Sequence, residues 1–139
     1  MQATINNELR LVVPMDICSL ADLRWRTWAY LAAAGVAPGM LDDILIALHE
    51  AVANALVHSG SSTDIAVRVR ATRVRVVIEV SDEGRGIASG VAIPPRPPNL
   101  AAESGRGLFM IWSLMNSVVF THRSGTHLEM VKELFPPRG

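Results

Sequence analysis

The stretch His49–Gly60, HEAVANALVHSG, determines how the rest of the chain is interpreted. It ends a run in which apolar residues recur every three or four positions, as one buried helical stripe requires: Met40, Leu41, Ile44, Leu45, Leu48, Val52 and Leu56. Glu50, Asn54 and His58 follow at intervals of four, so they share a narrow face beside that stripe. A solvated face more often carries Lys and Glu, and Asn is a poor residue for a helix interior. Taken alone, however, the helix also fits an ordinary amphipathic helix.

Composition limits the class of protein. The chain has 139 residues, of which 50% are hydrophobic, so we expect one domain over residues 1–139 with its own core. Thirteen basic and thirteen acidic residues cancel, and we therefore expect no direct binding to nucleic acid or to a membrane surface. Uncharged stretches such as Thr27–Leu41 are shorter than the ~20 residues of a membrane span. The single cysteine, Cys18, fits a reducing cytoplasm and is expected to be a small buried residue.

Hydrophobic periodicity and turn residues predict the order of helices and strands. The predicted elements are a strand over Glu8–Val13, a helix over Leu20–Ala34, a helix from Pro38 to Ser59, strands over Ile65–Ala71 and Arg73–Val80, a helix over Gly105–Asn116, and strands over Val118–Thr121 and His127–Leu134. The strands on either side of Thr72 alternate apolar with charged residues, so one face of the sheet is apolar and the other polar. This order predicts an α/β (α+β) two-layer sandwich, with a mixed or antiparallel sheet and helices on one face.

Between Ser81 and Ser104 the periodicity stops. This segment contains DEGRG and then IPPRPPNL, whose four prolines exclude a helix interior and a central strand. Segments of this length without regular structure are uncommon inside a small domain and are usually functional or mobile. We therefore expect the segment to contribute to function.

Two patches at the edges of this segment contain groups that could bind a ligand. Asp82 follows an apolar strand, where its carboxylate could accept a hydrogen bond from an amino group, and Gly84 and Gly86 would let a flat ring approach the backbone. An ordinary Asp-Glu-Gly turn is the alternative. Ser104–Leu108 opens a helix with glycines whose N–H groups could bind an anion, although glycine before a helix is also common as a cap. Gly125–Thr126 is either a turn or a source of a hydroxyl for a polar cluster.

The order and spacing of these motifs make a stronger signal than any one of them. HEAVANALVH, SDEGRGI, ESGRGLFMI and GTHLEMVKEL strongly resemble the ATP-binding boxes of the GHKL superfamily, which includes gyrase, heat-shock chaperones, histidine kinases and mismatch-repair ATPases. The helix pair LADLRWRTWAYLAAAGVAPGMLDDILIALHEAVANALVHSG resembles, more narrowly, the bacterial anti-sigma factor serine kinases. The resemblance runs from about Leu9 to Leu134. It implies the Bergerat-type ATP-binding fold.

The resemblance also implies roles for individual residues. Asn54 would bind the Mg²⁺ that bridges the phosphates of ATP, and Glu50 would be the general base. Asp82 would bind the adenine amino group, with Thr126 nearby through water. His58 also lies at a family position, but we expect it to be structural.

The glycine-rich segments would surround the rest of the nucleotide. Gly84 and Gly86 would let the ring lie against the backbone, and residues 83–104 would form an ATP lid. The remaining phosphate contacts would come from backbone N–H groups and one side-chain charge, contributed by Gly105, Arg106, Gly107 and Leu108.

The function implied by the resemblance is that of an ATP- and Mg²⁺-dependent protein serine/threonine kinase that also acts as an anti-sigma factor. It would phosphorylate an anti-sigma factor antagonist and sequester a sigma factor, and it could form a homodimer. One alternative is a non-catalytic ATP-binding sequestration module, although Glu50 and Asn54 are both present. Another is the ATPase domain of a sensor histidine kinase, which would need a phosphoacceptor helix pair that we do not expect in a chain filled by one domain.

Overall fold

The structure, a computed structural model, describes residues 2–5, 8–14, 19–58, 64–82, 106–122 and 126–135. Its elements are β1 (Gln2–Ile5), β2 (Glu8–Val13), α1 (Ser19–Ala33), α2 (Pro38–His58), β3 (Ile65–Ala71), β4 (Arg75–Asp82), α3 (Arg106–Leu114), β5 (Ser117–His122) and β6 (Thr126–Glu133). The strands form one sheet in the order β1-β2-β3-β4-β6-β5, and every described pair is antiparallel. The predicted two-layer fold class is confirmed, and of the two sheet types expected, the described strands form the antiparallel one.

The core lies between one face of this sheet and the helices. In β3 and β4 the alternate residues Ile65, Val67, Val69, Val76, Ile78 and Val80 are buried, as the period of two predicts. The buried stripe of α2 faces them, because Leu41, Ile44, Leu48 and Val52 are all buried. These three elements are thus amphipathic with the expected period, and burial of their apolar sides holds the two layers together.

The connection between α1 and α2 follows a standard helix stop. The N–H of Val36 donates to the carbonyl of Leu31, and the N–H of Gly35 donates to that of Ala32. Gly35 has a φ of 86°, a left-handed conformation that glycine adopts without steric cost. This is the Schellman pattern, and burial of Val36 next to Leu31 completes it. Gly35 therefore ends α1 as the sequence predicts.

Two boundaries differ from the sequence prediction. The β3–β4 turn includes Arg73 and Val74, which were predicted to begin the strand. The Thr72 hydroxyl accepts hydrogen bonds from the N–H groups of Val74 and Arg75 and thereby stabilises the turn. Val74 is consequently exposed, and its predicted place on the apolar face of the strand is wrong. β4 instead continues through Ser81 to Asp82, two residues that the sequence analysis assigned to the irregular segment.

Strand β1 was not predicted, and α3 ends two residues early. β1 pairs with β2 from Gln2 opposite Leu11 to Ile5 opposite Glu8. Asn116 lies beyond α3, where its N–H donates to the carbonyl of Val131 and its Oδ1 accepts from the N–H of Glu133. The pairing of Asn116 with β6 replaces the last helical turn that the apolar pattern predicted.

Lys132 links strand β6 to both α2 and α3. Its Nζ donates to Oδ2 of Asp43 in α2, at 3.1 Å, and to the carbonyl of Leu114, the last residue of α3. The beginning of α3 contacts α2 seven residues further on, at Glu50. The two helices therefore run antiparallel, with the second half of α2 beside the start of α3.

None of the helices in the described ranges is long and apolar enough to cross a membrane.

Candidate functional site

Glu50 meets the first turn of α3. A Cβ placed on Gly107 would lie 2.6 Å from Oε2 of Glu50, closer than real Cβ atoms come to a neighbouring atom. Only glycine lets α3 begin this near the carboxylate without moving it. The first turn of a helix has N–H groups without intrahelical partners and the positive end of the helix dipole, and both favour an anion. The half-buried side chain of Glu50 thus lies beside the backbone donors of the first turn of α3.

Asp82 and Thr126 form a second pair, set by the sheet register. They are Cα partners at the end of the β4–β6 ladder. Side chains alternate between the two faces along a strand, so Asp82 lies on the same face as the buried Val80, and Thr126 lies on the same face as the buried Leu128. Both side chains therefore point to the side of the sheet that the helices cover. Oγ1 of Thr126 is buried and has no hydrogen-bond partner within the described part of the chain.

The two pairs lie toward the same end of the molecule. The Lys132–Asp43 hydrogen bond aligns α2 with β6. From Asp43 the helix axis rises about 16 Å to Asn54, while β6 extends about 20 Å back from Lys132 to Thr126. The N–H of Ala71, at the end of the sheet opposite Asp82, donates to the hydroxyl of Tyr30 near the end of α1, so α2 begins at that end and runs back toward Asp82. Glu50 and Asn54 therefore lie in the half of the helix nearer to Asp82 and Thr126.

The other candidate residues divide into those that the structure describes and those outside the described residues. The Leu108 side chain is buried in the core, so only its backbone is free to meet a phosphate. Asn54 is half-buried on α2. Gly84, Gly86, Gly105, the predicted lid over residues 83–104, Cys18 and the side chains of His58 and Arg106 lie outside the described residues.

The proposed Mg²⁺ can be tested against the donors present. Within the described ranges, no group of three or more His, Cys, Asp and Glu side chains could hold a metal. Mg²⁺ usually takes one or two protein oxygens and completes its shell with substrate phosphates and water. The Asn54 carboxamide one turn from Glu50 fits such a shared ion.

The structure also shows polar groups to which the sequence analysis gave no role. His49, next to Glu50, has a buried Nδ1 without a hydrogen-bond partner among the described residues. On the opposite face of the sheet, Ser81 Oγ lies 2.8 Å from Nδ1 of His127, whose Nε2 is 3.5 Å from Glu79. Cross-strand contacts of this kind depend on register, so spacing in the sequence alone could not reveal them.

Comparison with known proteins agrees with the fold. A family model described as a histidine kinase-like ATPase domain matches residues 13–132. The chain belongs to this family. The resemblance to GHKL domains of the anti-sigma factor kinase type is thereby confirmed.

Individual relatives agree with the family match. The serine-protein kinase RsbW of Staphylococcus epidermidis is 29% identical over 138 residues, which cover 90% of this chain and 84% of that protein. Sequences of the same name from two strains of that species match equally well. A solved structure of the RsbU and RsbW domains of a Mycobacterium tuberculosis protein superposes with a TM-score of 0.71 at 22% identity. It covers 94% of this chain, which spans 33% of the solved one, and this likeness shows the fold.

Proposed function

We propose that this protein is an ATP-dependent serine/threonine kinase that phosphorylates an anti-sigma factor antagonist and sequesters a sigma factor. The observation that carries the proposal is the position of Glu50, whose carboxylate lies against the glycine that opens α3. In addition, the chain belongs to the histidine kinase-like ATPase family, and a serine-protein kinase is among its relatives. We place its activity in the cytoplasm, with a homodimer as the candidate assembly.

In this proposal the end of the β4–β6 ladder binds adenine. Asp82 would accept a hydrogen bond from the exocyclic amino group. Oγ1 of Thr126, which has no partner in the part of the chain that the structure describes, supports a polar ligand or a bridging water beside it. Gly84 and Gly86 would border the ring. Buried hydroxyls usually have a hydrogen-bond partner, so a Thr126 hydroxyl with none among the described residues supports a ligand atom or a water at this position.

The start of α3 would bind the phosphates. Backbone N–H groups of Gly105, Gly107 and Leu108, with the charge of Arg106, would face them, because a helix N-terminus favours anions. Asn54 would supply one oxygen to Mg²⁺, which neutralises phosphate charge when bound. Glu50 and the phosphates would then share one region of backbone donors.

Glu50 would act as the base in the transfer. As the serine hydroxyl oxygen bonds to the γ-phosphorus, its proton passes to the Glu50 carboxylate, and the bond from that phosphorus to the β,γ-bridging oxygen breaks to release ADP. Transfer of this type depends mainly on positioning and charge stabilisation, so a carboxylate fixed by packing suits the role.

The test follows label from γ-labelled ATP to a purified antagonist protein of the source organism. The wild type should transfer label to a serine. Glu50→Ala should bind ATP and lower the transfer rate by a factor of about 10² to 10⁴, the usual contribution of a general base. Asp82→Asn should fail to bind adenine nucleotides, measured with a fluorescent ATP analogue.

Each alternative function predicts a different result. Transfer by Glu50→Ala at the wild-type rate would refute the assignment of the base. ATP and sigma-factor binding without transfer by the wild type would identify a non-catalytic sequestration module. Transfer to a histidine of a co-purified helical partner would instead identify the ATPase domain of a sensor histidine kinase.

A further inference from the structure

A groove of about 600 Å³ runs along the outer surface between α1 and α2. Trp25 and Trp28 form its α1 side, and Ile46 and Glu50 belong to its α2 side. The candidate catalytic carboxylate thus lies at one end of an open surface groove.

The groove is lined by apolar side chains that folding leaves in water. Trp25 is 63% exposed, Trp28 is 43% exposed and Ile46 is 41% exposed. The two indole rings stack with centroids 5.4 Å apart and planes 14° from parallel, which makes one flat apolar surface. A contiguous apolar patch of this kind marks an interaction site more often than an isolated exposed residue does. Tryptophan is also the residue most enriched among those that dominate binding energy at interfaces.

The position of Glu50 between two surfaces indicates what occupies the groove. Gly107 closes one side of its carboxylate, because an added Cβ there would lie 2.6 Å from Oε2. Glu50 is also one of the residues that line the groove. A hydroxyl that gives its proton to Glu50 has to approach within hydrogen-bond distance, and a substrate segment in this groove would lie beside that residue.

The length and charge of the groove fit a short stretch of polypeptide. From Asp42 to Glu50 the axis of α2 rises about 12 Å, which about four residues of extended chain would span. Arg24 and Asp42 add one positive and one negative charge to the lining, so the groove does not select a highly charged segment of either sign.

We propose that the groove between α1 and α2 docks the serine-bearing segment of the protein substrate, with an apolar side chain of that segment packed on the Trp25–Trp28 surface and its serine at Glu50. This inference rests on the proposed kinase function and names how that kinase recognises its acceptor. The anchor side chain lies within about four residues of the serine when the segment is extended.

The first experiment measures transfer kinetics with the double variant Trp25→Ala/Trp28→Ala and a purified antagonist protein of the source organism. Its KM for the antagonist should rise at least about tenfold, while its affinity for a fluorescent ATP analogue stays at the wild-type value. Phe135→Ala is the matched control, since this aromatic side chain is 71% exposed and lies outside the groove lining. It should keep the wild-type KM. Circular dichroism of both variants checks that they fold.

The second experiment measures docking without catalysis. The chain has three tryptophans, so Trp112→Phe leaves only the two indoles of the groove. Phenylalanine also preserves an aromatic ring against Phe120. Unphosphorylated antagonist should change the indole emission of this variant, whether or not label is transferred.

The two readouts separate failure of docking from failure of the kinase proposal. An indole change with no transfer by the wild type would reject the kinase activity and retain the groove as a docking site. A wild-type KM in the double variant, or unchanged indole emission at saturating antagonist, would overturn the docking proposal. So would a double variant that loses only self-association or only sigma-factor binding, because the groove would then belong to a second copy or to the sigma factor.

Discussion

Two faces of helix α2 separate the side chains that build the core from the candidate catalytic ones. The face toward the sheet is an apolar stripe that includes Ile44 and Leu48, both fully buried. The neighbouring face holds Glu50 and Asn54, half-buried and directed to the end of the molecule that also holds Asp82. Substitutions on the stripe should therefore change folding, whereas those on the polar face should change activity. Three sets of substitutions test this division, and the expected change in the free energy of unfolding decreases from the first to the third.

The largest effect is expected on the apolar stripe. Ile44→Ala removes a fully buried side chain and should lower the free energy of unfolding by about 2–5 kcal/mol, because lost burial and a residual cavity add. Urea unfolding followed by circular dichroism measures it. Ile46→Ala is the matched control, with the same residue type two positions along the same helix but on its exposed side. A loss at Ile46 equal to that at Ile44 would contradict the assigned faces.

A smaller effect is expected where polar groups join the layers. Lys132→Met keeps the apolar stem but leaves the carbonyl of Leu114 and the carboxylate of Asp43 without their donor. The free energy of unfolding should fall by about 1–3 kcal/mol, the cost of an unsatisfied buried group. Asp43→Asn, which retains an acceptor oxygen at a half-exposed position, should cost less than about 1 kcal/mol. Equal losses in both variants would show that the ion pair, and not the α3 carbonyl, carries the contact.

The smallest change in stability, with a measurable change in rate, is expected at Gly107. Gly107→Ala forces the Glu50 carboxylate to move, which is cheap for a flexible side chain and is offset by the roughly 1 kcal/mol gain in helix propensity. Transfer should nevertheless slow by about tenfold, because positioning of the base is lost. Gly39→Ala is the control, since Gly39 is also the second residue of its helix and a Cβ there meets nothing within 4 Å. A Gly107→Ala variant with the wild-type rate would contradict the role of this contact.

The sequence predicted the fold class and most elements because periodicity reports burial directly. The period of 3.6 placed Ile44 and Leu48 in the core, and the period of two placed Ile78 and Val80 there. The β3–β4 boundary failed because the Thr72 hydroxyl competes with the ladder for N–H groups, an interaction that hydrophobicity does not register.

The candidate site was predictable as a set of residues but not as a geometry. Motif order identified Glu50, Asp82 and Thr126 as candidates. The contact of Glu50 with Gly107 depends on how α2 and α3 pack, and the groove beside Trp25 depends on how α1 lies on α2. These are tertiary relations between segments, which a one-dimensional pattern does not contain.

The pairing of Asp82 with Thr126 has a consequence for how the domain tolerates length changes. Because side chains alternate along a strand, deletion of one residue within Arg75–Asp82 would move the Asp82 carboxylate to the opposite face of the sheet, where His127 lies. From that face it could not contact a ligand bound between the sheet and the helices. Residues added at the Thr72–Val74 turn would leave it where it is, since the pairing of Arg75–Asp82 with β6 keeps its register. A circular permutant opened at that turn should accordingly keep its affinity for adenine nucleotides.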